Sequence, residues 1–273
     1  MNDAAGNGRT LLEVEDVVKR FGGIRAVNGA TMSVGEGRIT ALIGPNGAGK
    51  TTLFNVLTGF YKGDRGSVSF HGEEILGEHP YAIARKGMVR TFQITKALAA
   101  MPVIDNMMLA ARDQPGEHIR NLFIHPRAVR QRENQVRKQA MELLGIFNLS
   151  DLAEDYAGTL SGGQRKLLEL ARALMAEPTL LLLDEPMAGI NPTLGRRLLD
   201  HMQGLRREMG VSILFIEHDM EVVMNHSDRV VVMAEGRVIA EGEPHEVRRD
   251  KRVIDAYLGE VAGEPAAAGS SGE

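Results

Sequence analysis

The stretch Gly44-Pro45-Asn46-Gly47-Ala48-Gly49-Lys50-Thr51 fits the pattern G-x-x-x-x-G-K-[ST] without a mismatch. Arg38-Ile39-Thr40-Ala41-Leu42-Ile43 precedes it, apolar and β-branched, and reads as a buried strand. Thr52-Leu53-Phe54-Asn55-Val56-Leu57 follows and reads as the first turns of a helix. Strand, glycine loop and helix is the context the motif requires, and it places the chain in the α/β class. The glycines let successive backbone N–H groups turn inward and cradle phosphate oxygens. The helix N-terminus adds its partial positive charge. Gly44, Pro45, Asn46, Gly47, Ala48 and Gly49 are therefore expected to wrap the phosphates of a nucleoside triphosphate. Lys50 would reach the β- and γ-phosphates, the Thr51 hydroxyl would ligate Mg²⁺, and Thr52 would touch the α-phosphate.

Two segments downstream narrow the chemistry. Leu180-Leu181-Leu182-Leu183-Asp184-Glu185-Pro186 reads as a buried parallel strand with its acids at the carboxyl end, where ligands bind in such sheets. Asp184 is expected to hold Mg²⁺. Glu185 is expected to face the γ-phosphate and polarise the attacking water. Leu160-Ser161-Gly162-Gly163-Gln164 opens a helix: Ser161 is a good N-cap, and Leu167, Leu170, Ala171 and Leu174 recur at helical spacing. Two glycines after a serine expose backbone N–H groups at a helix start, which makes a second anion site. One chain needs only one phosphate loop, so a second phosphate-facing helix start makes sense if it serves another nucleotide.

Composition sets outer bounds. At 273 residues the chain can bury one large core or two modest ones. Its 32 basic and 36 acidic residues give a net charge of −4, with no sign of a nucleic-acid partner. It has no cysteine, so disulfides and thiolate metal sites are excluded. Met1 to Thr10 is polar and lacks the apolar stretch of a signal peptide, and no run approaches the ~20 apolar residues that span a bilayer. The expectation is a water-soluble chain; if it serves membrane transport, other chains supply the pore.

Residues 11–43 read as strands: Leu11–Val14, Ala30–Val34 and the strand into the loop, with Ser67–Gly72 as another edge strand. Residues from about 98 to 158 lack β-branched runs, and Val136, Ala140, Leu143, Leu144 and Phe147 fall on one helical face. The basic run Arg127, Arg130, Arg132, Arg137 and Lys138 in this segment reads as a solvated helix face. Strands Thr179–Leu183, Ser212–Ile216 and Arg229–Ala234 alternate with helices near 193–209 and 219–226, a doubly wound pattern. A last helix is expected over Val253–Leu258, followed by a small, polar, disordered tail from Gly259.

At these spacings the three motifs resemble those of the ATP-binding subunit of an ATP-binding cassette (ABC) transporter. The resemblance covers residues 11–260 and implies a P-loop core with a mixed, largely parallel sheet, an antiparallel β subdomain and an inserted α-helical subdomain. It implies a single domain over 11–258, built from 11–97 and 159–258 with the helical insertion between them, and flexible tails at 1–10 and 259–273. It further implies ATP with Mg²⁺, and a dimer in which Ser161, Gly162, Gly163 and Gln164 cap the nucleotide held by the partner subunit. Three more positions match the family: Gln93 resembles the Q-loop glutamine that reaches Mg²⁺ and the attacking water, His218 the switch histidine at the γ-phosphate, and Phe21 the aromatic that stacks on adenine.

Within the family the chain looks most like the ATP-binding component of bacterial branched-chain amino acid importers. Lys19-Arg20-Phe21-Gly22-Gly23, Arg90-Thr91-Phe92-Gln93, Ala188-Gly189-Ile190-Asn191-Pro192 and Ile216-Glu217-His218-Asp219-Met220 carry that likeness. Its implied partners are transmembrane permeases, a second ABC ATPase subunit (the same chain or a different one) and, indirectly, a solute-binding protein; its implied place is the cytoplasmic side of the membrane. Urea or amide importers and the lipopolysaccharide-export ATPase share much of the pattern; Gln164 and Asp219 favour the importer. A repair or translation ABC ATPase would carry long heptads or two cassettes. A small GTPase or kinase would leave Leu160–Gln164 unexplained. For the permease groove, one or two of Leu98, Met101 and Met107 are expected to be exposed.

Overall fold

The computed structural model describes residues 9–91, 99–112 and 126–263. Gln93 and Leu98 lie outside them.

Two sheets organise the chain. The first is antiparallel, in the order β2-β1-β4-β5, from β1 (Thr10–Phe21), β2 (Ile24–Gly35), β4 (Arg65–Phe70) and β5 (Glu73–Glu74). The second has six strands in the order β10-β9-β3-β8-β7-β6. Its members are β3 (Ile39–Ile43), β6 (Met88–Arg90), β7 (Leu180–Asp184), β8 (Ser212–Ile216), β9 (Arg229–Ala234) and β10 (Arg237–Gly242). From β9 to β6 its pairings are parallel, and β10 closes the edge antiparallel to β9. The helices are α1 (Lys50–Leu57), α2 (Pro80–Lys86), α3 (Val103–Met108), α4 (Pro126–Ile146), α5 (Gly162–Leu174), α6 (Pro192–Met209), α7 (Met220–His226), α8 (Pro244–Val247) and α9 (Lys251–Gly263).

β3 and β8 are buried along their whole length, as a parallel strand covered on both faces must be. Alternation then assigns each side chain to one of two cores. Ile39, Ala41, Ile43, Leu181, Leu183, Ile213 and Phe215 pack with α5, α6 and the helical segment. Leu42, Leu180, Leu182, Leu214 and Ile216 pack with α1 and the antiparallel sheet. The face of α4 expected from its spacing is the one it buries, and its basic residues lie outside, except that Arg132 is half-buried and donates to the Arg112 carbonyl at 2.9 Å.

Several expectations need correcting. β1 does not stop at Val14 but continues to Phe21, because a bulge at Asp16 (φ +46°) shifts the register and breaks the alternation without ending the strand. β10 is a strand that no sequence signal marks. It is joined to β9 by a tight turn with Glu235 at φ +48° and Gly236 at φ +76°, the paired positive angles of a hairpin turn. The last helix starts at Lys251 and runs to Gly263, into the segment read as tail. Gly259 alone costs a helix only about 1 kcal/mol, too little by itself to end one. Met107 is fully buried among α3, α4 and α5 and Met101 is half-buried, so neither is exposed as expected, while Leu98, the third position, lies outside the described residues; an exposed apolar side chain beside them is Leu109.

Candidate functional site

The parallel strands β3, β8 and β7 all end at the same edge, and the loops leaving that edge carry the sequence-predicted groups. Crevices outside the carboxyl ends of such strands are where ligands bind in open α/β sheets. β8 lies between β3 and β7. The chain after β8 therefore runs between the phosphate loop and the acidic pair.

The phosphate loop needs its glycines for different reasons. Gly44 has φ +146°, and a Cβ there would lie 2.0 Å from the Met233 carbonyl oxygen. Gly49 caps α1 in the left-handed region. The loop is further pinned where the Gly236 N–H donates to the Ala48 carbonyl at 3.0 Å and the Leu53 N–H to the Gly49 carbonyl at 2.8 Å. Lys50 is buried, and its Nζ donates to the carbonyls of Gly44 at 2.6 Å and Pro45 at 2.9 Å, curling the loop around the ammonium. Asn46, Gly47 and Thr51 are exposed, Thr52 is half-buried, and Ala48 is buried under the loop.

Asp184 ends β7, half-buried. Its Oδ2 accepts from Arg90 Nη2 at 2.6 Å, while Arg90 Nη1 donates to Asn55 Oδ1 at 2.6 Å. Arg90 thus ties the end of β6 to β7 and to α1, and its guanidinium lies over the Phe54 ring. Glu185 follows at φ +49°, a left-handed angle that non-glycine residues rarely adopt. Its N–H donates to the Ile216 carbonyl at 3.1 Å, which holds it across to β8. Glu185 Oε1 lies 3.9 Å from His218 Nδ1, adjacent but beyond hydrogen-bond length. Glu217, the residue before His218, is 2% exposed, and burial pushes its carboxyl above the usual range. Its Oε1 accepts the Met187 N–H at 2.9 Å.

Phe21 ends β1, partly exposed, edge-on to Tyr61 with ring centroids 5.2 Å apart and with Lys19 Nζ 5.3 Å from its ring centre. β2 then brings the Ala26 carbonyl against Gly49.

Ser161 caps α5. Its Oγ accepts the Gln164 N–H at 3.3 Å, while Gln164 Oε1 accepts the Ser161 N–H at 2.9 Å. The Gln164 side chain is thus spent on the cap. A Cβ on Gly163 would lie 2.2 Å from Leu194 Cδ2, so this glycine lets α5 approach α6, while a Cβ on Gly162 would meet nothing within 4 Å among the described residues. Ser161, Gly162, Gly163 and Gln164 line an open cleft with Gly189 and Asn191, which follow Glu185; residues 44–51 do not line it. Arg90, Asn55 and Glu217 were not singled out from the sequence as site residues. For Arg90 and Glu217 the one signal is a charge at the end of an apolar strand, in Met88-Val89-Arg90 and Ile213-Leu214-Phe215-Ile216-Glu217; Asn55, inside the helix after the loop, has none.

Comparison with known proteins agrees with this geometry. The model of the ABC transporter family matches residues 27–188, and that of the branched-chain amino acid ATP-binding cassette transporter matches residues 237–263. The chain is 44% identical over 254 residues to the high-affinity branched-chain amino acid transport ATP-binding protein BraF of Pseudomonas aeruginosa, covering 93% of this chain and 99% of that one. It is 41% identical over 249 residues to the probable branched-chain amino acid transport ATP-binding protein LivG of Archaeoglobus fulgidus, covering 91% and 95%. Among solved structures, the ADP conformation of MJ1267, an ATP-binding cassette of an ABC transporter, superposes with a TM-score of 0.79 at 38% identity, over 92% of this chain and all of that one. The chain belongs to the ABC transporter family, as one of its ATP-hydrolysing, ATP-binding subunits.

Proposed function

We propose that this chain hydrolyses ATP to drive import of branched-chain amino acids, docked on the cytoplasmic face of transmembrane permeases that a solute-binding protein supplies. The observation that carries the catalytic part is the convergence of the loop at 44–51, Asp184–Glu185 and His218 at one sheet edge. The match over 237–263 and the names of the relatives support the solute class. Among the described residues no helix is long and apolar enough to cross a membrane, which suits a subunit that relies on permeases for the path.

The residues divide the work. Backbone N–H groups of Gly44 to Gly49 and the start of α1 bind the phosphates, and Lys50 exchanges its loop carbonyls for β- and γ-phosphate oxygens. Thr52 meets the α-phosphate, and Phe21 stacks on adenine. One hydroxyl and one carboxylate, Thr51 and Asp184, are the kind of donor set that suits Mg²⁺ arriving with phosphates, with Gln93 completing it. These residues would hold Mg²⁺, whose positive charge would offset that of the phosphates. Glu185 orients and polarises the attacking water, and His218 holds the γ-phosphate beside it. A second ABC ATPase subunit, identical or not, presents its own Ser161–Gln164 equivalent to this nucleotide, and this chain's Ser161, Gly162, Gly163 and Gln164 close over the partner's.

The test is radiolabelled leucine uptake in cells lacking this chain. Wild type should restore uptake, and Glu185→Gln should not, with turnover of the purified variant down roughly 10²–10⁴-fold and ATP binding kept. Uptake that is unaffected by the deletion, or restored by Glu185→Gln, refutes the reading. Loss of urea uptake instead would reassign the solute.

A further inference from the structure

Glu217 is a buried carboxylate that the reaction as described does not use. It stands one residue beyond β8, 2% exposed, where the strand's Ser-Ile-Leu-Phe-Ile run would continue into the core with any apolar residue. Its hydrogen bonds show what it holds. Oε1 accepts the Met187 N–H at 2.9 Å, and Oε2 takes a longer contact from the His218 N–H at 3.4 Å. The last ladder pair between β7 and β8 is Asp184 with Ile216. Beyond it the Glu185 N–H still reaches the Ile216 carbonyl at 3.1 Å, and the Ala188 N–H turns back to the Glu185 carbonyl at 3.0 Å. From Met187 onward, the Glu217 carboxylate takes the place of the missing ladder.

The local backbone requires such a hold. Glu185 sits at φ +49°, and a strained angle of this kind persists only where the surroundings over-determine it. We propose that Glu217 is a positioning residue for hydrolysis. It tethers the loop Pro186–Asn191 to the end of β8 and so fixes Glu185 and His218 relative to each other. The same loop supplies Gly189 and Asn191 to the cleft at Ser161, so the tether also links the hydrolytic pair to the surface assigned above to the second subunit. What the tether needs is an acceptor of the right reach. Charge is not required, and burial already disfavours the charged form. The inference rests on the proposed roles of Glu185 and His218.

Two substitutions separate reach from charge. Glu217→Gln keeps the length and an acceptor oxygen but removes the charge. Glu217→Asp keeps the charge but withdraws the oxygen by one methylene. The Met187 amide should exchange slowly with deuterium in the wild type and in Glu217→Gln, and about 10-fold or more faster in Glu217→Asp. Turnover should stay within about 3-fold of wild type in Glu217→Gln and fall roughly 10- to 100-fold in Glu217→Asp, with the Kd for ATP unchanged in both. Fast exchange at Met187 in the folded wild type overturns the tether, as does full turnover in Glu217→Asp. A Glu217→Gln variant as impaired as Glu217→Asp shows that charge acts, and also overturns it. If Glu217→Asp does not fold, the exchange measurement and the Glu217→Gln turnover still decide. Amide exchange does not depend on Glu185 being the base, so a catalytically intact Glu185→Gln would sink the reading of the reaction without touching the tether.

Discussion

Gly49→Ala would place a methyl carbon 2.2 Å from the Ala26 carbonyl oxygen, 3.3 Å from that carbonyl carbon and 3.4 Å from the Gly236 Cα. All three are backbone atoms, in β2 and in the turn between β9 and β10, and cannot swing aside as a side chain would. The residue also sits at φ +97°. Holding an L-residue in the left-handed region costs about 1–2 kcal/mol, and overpacking adds about 1–3 kcal/mol. The expected loss of about 2–5 kcal/mol is a large part of the ~5–15 kcal/mol that holds a domain together. Gly47→Ala is the internal control. Its φ is +74°, but among the described residues nothing lies within 4 Å of the added carbon, so only the strain of about 1–2 kcal/mol remains. The assay is thermal unfolding of both variants without nucleotide. At roughly 2–4 °C per kcal/mol, Gly49→Ala should melt about 2–12 °C below Gly47→Ala. Equal melting temperatures, or a lower one for Gly47→Ala, would refute the argument that backbone contact with β2 sets the requirement at Gly49.

Two further outcomes are expected. Ser161→Arg and Lys50→Ala chains should each be inactive alone, yet mixed subunits should regain activity from the one site that joins an intact loop to an intact capping helix; no recovery in demonstrably mixed dimers would count against a shared site. Glu217→Gln should change how stability depends on pH. Because burial raises the Glu217 carboxyl pKa, the folded state binds more protons than the unfolded state just above the ordinary carboxylate range, so that residue's contribution to stability falls as pH rises through this window. The titratable groups facing it, His218 and Glu185, are present in wild type and variant alike. The melting temperature of Glu217→Gln relative to wild type should therefore rise between pH 4 and pH 7.5, and a flat difference would contradict the assignment.

The sequence showed most clearly what repeats or what a fixed backbone shape demands. Gly44–Thr51 could be read because a phosphate cradle allows few residue types at each position. β3, β7 and β8 could be read because a strand buried on both faces must be apolar throughout. The buried face of α4 followed from spacing alone. Each of these rests on periodicity or on local stereochemistry, both of which are written along the chain.

What escaped the sequence depends on neighbours that are distant in the chain. The bulge at Asp16 hid half of β1, since one inserted residue inverts the alternation while the pairing with β2 and β4 goes on. The partition of the core into two faces, the Arg90–Asp184 pair and the cleft that Ser161–Gln164 share with Gly189 and Asn191 became visible only once the strands were ordered. Glu217 is the clearest case. From the sequence it is one acid after an apolar strand; in the fold its meaning comes from the Met187 N–H, which belongs to another strand's loop and would otherwise be left without this acceptor. A backbone donor that must find its partner across two strand ends leaves no periodic trace, so only the tertiary structure could assign that carboxylate its place.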